Sequence, residues 1–88
     1  MDERFEKLKE ALSKEEWPSV YLFKFIVPND SERIAKVNAL FDEKSEVTMH
    51  PSRTDKYMSI SAKELMLDVD SVMKVYEEAA KIPDLISL

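Results

Sequence analysis

The 88-residue chain has no glycine and no cysteine, and only one histidine and one tryptophan. Without cysteine there is no disulfide framework and no thiolate chemistry, which fits a reducing compartment. Without glycine no glycine-rich phosphate cradle of the dinucleotide or P-loop kind can form. The Asn-Gly type of two-residue hairpin is excluded as well, so turns must be longer or built on Asn, Asp and Ser. A lone histidine, His50, has too few partners nearby for a nucleophilic triad or a histidine-based metal site. No apolar run approaches the roughly 18–20 residues of a membrane span. The first residues, Met1-Asp2-Glu3-Arg4, are charged rather than a secretory apolar segment, and the expected setting is cytoplasmic.

What is present is ample for one core. Hydrophobic residues make up 44% of the chain and charged residues 35%, with a formal net charge of −5 and a pI near 4.9. That length supports a single domain over residues 1–88, with 1–17 as an amino-terminal helix and connector and 18–88 as the folded core. The acidic balance works against non-specific nucleic-acid binding, which needs a basic surface.

Residues 2–16 are expected to be helical. Phe5, Leu8 and Leu12 form a narrow apolar stripe among Glu and Lys. A helix of this length is marginal alone and must dock on something. Trp17-Pro18 ends it, because the residue before proline is pushed out of the α region. Residues 19–28, SVYLFKFIVP, are the strongest strand text. Tyr21, Phe23, Phe25 and Val27 share one face, and Val20, Leu22, Lys24 and Ile26 the other. Both faces are largely apolar, which predicts a central strand covered on both sides, the second cover being the amino-terminal helix or another subunit. Asn29, Asp30 or Ser31 can cap a helix over about 31–42, with Ile34, Val37, Leu40 and Phe41 inward.

The stretch Val47–Ala62, VTMHPSRTDKYMSISA, reads as a β-hairpin. A loop of Ser52-Arg53-Thr54-Asp55 predicts Val47 opposite Ile60, Met49 opposite Met58, Thr48 opposite Ser59 and His50 opposite Tyr57. A two-residue shift preserves the same faces. Asp68 or Asp70 can cap a last helix over about 69–81, whose Val69, Val72, Val75, Tyr76, Ala79 and Ala80 recur at helical steps. Pro83 stops it, and residues 85–88 suffice for a short final strand.

The order is helix, then β-α-β-β-α-β. This is the pattern of an α+β, ferredoxin-like sandwich: a four-stranded antiparallel sheet in the order 4-1-3-2, two helices on one face, and an extra amino-terminal helix. The other face would carry Leu22, Lys24, Ile26, Thr48, His50, Tyr57, Ser59 and Ser61, with the amino-terminal helix as the nearest cover.

Several residues together also resemble the YbeD-like family of small bacterial proteins. They are Trp17-Pro18 after a short charged helix, Phe23-Lys24-Phe25, Pro51-Ser52, Tyr57, Ser59-Ile60-Ser61, and Val72 to Tyr76-Glu77-Glu78 with Lys81-Ile82. The resemblance runs from about residue 5 to the end and rests on order and spacing rather than on one sharp motif. It implies a sheet like that of ACT regulatory domains, a bacterial cytosolic setting, a regulatory role and no catalytic residues to carry over; some members lie beside lipoate-attachment genes. ACT domains that bind amino acids usually place a glycine after the first strand. Here that turn is Pro28-Asn29-Asp30, which counts against ligand binding of that kind.

No catalytic, cofactor-binding or metal-binding residue is expected, and the chain is read as a non-enzyme. The candidate surface for a ligand or partner is Lys24, His50, Arg53, Lys56, Tyr57, Ser59 and Ser61. Arg53, Lys56 and Lys63, with His50 and Lys24, form a local basic zone on an acidic chain, suited to an acidic protein surface or an anionic metabolite. The expected occupant is a protein partner or a second copy, with a small molecule as the alternative. RNA binding is disfavoured: Tyr57 lacks a second aromatic beside it, and the net charge is wrong.

Overall fold

The computed structural model describes residues 3–88, and the side chains of residues 6–88. The elements follow in the order α1 (Glu3–Ser13), β1 (Ser19–Pro28), α2 (Ser31–Asn38), β2 (Glu46–Pro51), β3 (Tyr57–Met66), α3 (Val69–Ala79) and β4 (Ile86–Ser87). The four strands form one antiparallel sheet in the order β2-β3-β1-β4. This is the expected α+β, ferredoxin-like arrangement with an extra helix in front.

The strands form where β-branched and aromatic residues concentrate. β1 and β3 pair over ten consecutive positions, from Ser19 opposite Met66 to Pro28 opposite Tyr57. That register puts Phe23, Phe25, Val27, Ile60 and Ala62 on one face, where all five are fully buried. α3 covers them with Val72, Met73, Tyr76 and Ala79, and α2 with Val37. Tyr21, Phe23, Phe25, Phe41 and Tyr76 form a continuous aromatic cluster, with ring centroids 4.7 to 6.2 Å apart among Tyr21–Phe23, Phe23–Phe41, Phe23–Tyr76 and Phe25–Phe41.

Three expectations change. The hairpin register is two residues further along: Val47 faces Ala62, Met49 faces Ile60, Thr48 faces Ser61 and His50 faces Ser59. The faces are kept, as a period of two requires. α2 ends at Asn38 rather than 42. Beyond it the chain tightens into i→i+3 bonds, with Leu40 N–H donating to Val37 O and Phe41 N–H to Asn38 O. Phe41 therefore reaches the core from a turn.

The third correction concerns α1, which does not cover the open sheet face. It packs beside α3, where Lys9 lies 3.7 Å from Asp70, and Leu12 joins the core while Leu8 packs against it. Trp17 Nε1 donates to Leu12 O at 3.0 Å and closes the helix end. The side chain of Phe5, the first member of the expected stripe, and Asp2, its expected first residue, lie outside what is described.

Asp30 and Asp68 cap α2 and α3 by accepting from Arg33 N and Ser71 N. The Arg33 backbone N–H, then its side chain, holds the Asp30 carboxyl below its ordinary range. The Ser71 hydroxyl, then its N–H, does the same for Asp68. A lowered carboxylate pKa stabilises the fold above the unfolded value and ceases to as pH falls through the folded one. Thermal melts should therefore show stability falling as pH drops below about 4, with a shallower fall in an Asp30→Asn, Asp68→Asn double variant. Urea unfolding should separate the two sheet faces. Phe23→Ala should cost about 3–5 kcal/mol, whereas Leu65→Ala on the open face should stay within about 0.5 kcal/mol.

Candidate functional site

The face of the sheet turned away from α2 and α3 carries the side chains of alternate residues, in rows set by the register. One row runs Ile86, Ile26, Ser59, His50 across all four strands. The next runs Lys24, Ser61, Thr48, and the one beyond it Leu22, Lys63, Glu46. Val20 and Leu65 form a further pair and Pro28 and Tyr57 another. No helix lies over these rows, and Val20 is 66% exposed and Leu65 61% exposed. A shallow cleft of about 360 Å³ follows the first row, lined by Ile26, His50, Pro51, Tyr57, Ser59 and Ile86.

Five of the seven predicted site residues, Lys24, His50, Tyr57, Ser59 and Ser61, share this face. Arg53 and Lys56 do not lie on a strand; both are exposed in the hairpin loop at one end of the face. No side-chain hydrogen bond joins any two of the seven among the described residues. Among the described residues His50 has no carboxylate partner, and the hydroxyls of Thr48, Ser59 and Ser61 have no hydrogen-bonded base. The face presents exposed apolar side chains with lysines among them; it does not assemble an acid–base pair or an activated nucleophile among the described residues.

The loop is built without glycine. Ser52 and Tyr57 close it: Ser52 N–H donates to Tyr57 O at 2.8 Å, and Tyr57 N–H to Ser52 Oγ at 3.1 Å. Asp55 takes φ 60°, the left-handed region, and its N–H donates to Ser52 O at 3.0 Å. Asn29, from the turn after β1, donates through Nδ2 to Asp55 O and through its N–H to Lys56 O, each at 2.9 Å. These bonds hold the observed register and fix the stems of Arg53 and Lys56.

A second cleft, of about 570 Å³, lies on the helix side between α1, α3 and β4, and it was not anticipated from sequence. Tyr21 and Tyr76 line it with their hydroxyl oxygens 2.8 Å apart. Burial, then the neighbouring Tyr21 hydroxyl, raises the Tyr76 phenol pKa well above its ordinary value, so the group is neutral at physiological pH. The signal was present. Both tyrosines fall on apolar stripes that face the core, and a buried phenol requires a hydrogen-bond partner.

Among the described residues no three His, Asp or Glu side chains converge as a metal site, and no helix is long and apolar enough to cross a membrane.

A left-handed aspartate tests the loop directly. Asp55→Gly should leave stability unchanged or raised, whereas Asp55→Ala should cost about 1 kcal/mol, since a Cβ is disfavoured at that φ. Chemical denaturation of the two variants measures the difference.

A family model described as a protein of unknown function (DUF493) matches residues 13–87, from the end of α1 through β4. The chain belongs to that family, of which YbeD is a member. No curated protein and no solved structure matches it.

Proposed function

We propose that the chain is a non-enzymatic regulatory or protein-interaction module, ACT-like in kind, and that the open sheet face is its contact surface. The observation that supports this is the set of apolar side chains on the face, Val20, Leu22 and Leu65 toward one end and Ile26 and Ile86 toward the other with the Lys24 row between them, left without cover by any described element. Contiguous apolar surface rimmed by polar groups marks interaction sites in folded proteins. Lys24 and Lys63 stand within the face, Lys63 opposite Glu46, and Arg53 and Lys56 at its end, and none of these four cations is in an ion pair among the described residues. Charge complementarity favours a partner surface with apolar and acidic groups.

An anionic metabolite held by Arg53 and Lys56 is the second reading, favoured by their freedom from ion pairs. The loop supplies no enclosure around them, and the nearby cleft is lined mostly by apolar groups.

A Leu22→Glu, Leu65→Glu double variant tests the contact surface. It should melt within a few degrees of the parent, because both positions are exposed. In affinity capture it should lose the proteins that the parent retains at low salt, and light scattering of the parent should show whether one of them is a second copy. A capture profile identical to the parent's would refute the assignment. A thermal-shift screen with anionic metabolites addresses the second reading, which fails if hits persist in Arg53→Ala, Lys56→Ala.

A further inference from the structure

The cleft between α1, α3 and β4 has a local cause. Where α3 nears its end it presents Ala79 and Ala80, and β4 is only two residues long, so neither fills the space beside β1. α1 leans on α3 and closes one side with Leu8, while Leu85 and Leu88 close another. The volume, about 570 Å³, falls in the range of small-molecule sites, roughly 300–1,000 Å³.

Its lining is more apolar than polar, with Tyr21, Tyr76 and Ser87 as its polar side chains. No Lys, Arg, His, Asp or Glu lines it among the described residues, so an anion or cation entering would lose hydration without a counter-charge. The polar side chains that matter are the two phenols. Each has one donor hydrogen and acceptor lone pairs, and the 2.8 Å contact consumes one hydrogen and one acceptor site. Neither hydroxyl has another partner among the described residues, which leaves the pair one donor and further acceptor capacity. A tyrosine hydroxyl is protonated at neutral pH, and burial raises the Tyr76 pKa further, so that donor is retained.

We infer that this cleft binds a small neutral molecule with an apolar body and a single carbonyl, amide or hydroxyl head, the head held by the Tyr21–Tyr76 hydroxyl pair. The site is separate from the open sheet face, and its success or failure is read independently of that surface.

The test is a nitrogen-15 NMR titration with two isosteric probes, 1-naphthamide and 1-naphthoate. Naphthamide should shift the backbone amides of Tyr21, Ala79, Ala80 and Leu88 saturably, and naphthoate should not. Tyr21→Phe should weaken naphthamide binding roughly fivefold to tenfold, the factor carried by one neutral hydrogen bond. Ala80→Leu, at an exposed position that borders the cleft, should abolish binding while the rest of the spectrum shows an intact fold. The inference is overturned by any of four results: no saturable shift with naphthamide, naphthoate binding as tightly, undiminished affinity in both variants, or shifts confined to His50 and Tyr57.

Discussion

Ten consecutive pairs between β1 and β3 are the constraint on which the rest of the fold depends. Side chains alternate with a period of two, so this one register decides the fate of every residue on both strands. It gathers Phe23, Phe25, Val27, Ile60 and Ala62 on one face, each large apolar side chain contributing roughly 1.5–3 kcal/mol on burial. By the same geometry it commits Val20, Leu22 and Leu65 to the other face, where no element reaches them. A slip by one residue would set Ser61 and Lys63 on the face of Phe23 and Phe25, and Lys24 on the face of Ile60 and Ala62, so that either choice buries a lysine and exposes core residues. The core and the uncovered surface are two consequences of a single alignment.

The loops are held by side chains that substitute for glycine. The described residues with positive φ are Asp55 at 60° and Asp84 at 63°; a short polar side chain tolerates that region better than most. Both are tied down. Asn29 bonds the Asp55 carbonyl. Arg33 spans the turn before α2 and the turn after α3, pairing with Asp30, donating through Nη2 to Asp84 Oδ2 at 3.1 Å and through Nε to Pro83 O at 3.0 Å. A chain without glycine thus spends Asp, Asn, Ser and Arg on turn geometry, and those residues are structural rather than candidates for chemistry.

Much of this was legible in the sequence, for reasons that also explain what was not. β1 was read to the residue because Val, Ile and aromatics fill it and Pro18 and Pro28 bracket it. The strand order and the composition of the open face followed from alternation and element order. The hairpin register was not legible, since Val47 is equally content opposite Ile60 or Ala62; Asp55 in the left-handed region and the Asn29 bonds, both long-range or conformational, decided it. The berth of α1 was not legible either. A stripe containing Leu8 and Leu12 needs an apolar surface but does not specify which one, and the edge of the helix layer beside α3 outcompetes the sheet face. Met49, on the inward face of the hairpin opposite Ile60, is 46% exposed because β2 is an edge strand. Of the candidate residues, the five on strands were grouped correctly by alternation, whereas the places of Arg53 and Lys56 depended on the loop.

The two surfaces are built on shared walls. Tyr21 and Leu22 are adjacent on β1 and point to opposite sides, one into the cleft and the other onto the open face. Ile86 on β4 borders both clefts. β4 is also the least secured strand: it pairs with β1 at Phe25 and Ile26 alone, with one further bond from Leu88 N–H to Lys24 O at 3.0 Å. An occupant on either side that moves β4 alters the lining on the other, because residue Ile86 borders both. The ten-pair ladder between β1 and β3 has no such freedom, since breaking it would expose Phe23 and Phe25. Among the described strands, β4 is therefore the one held by the fewest pairings, and it lies where both surfaces meet.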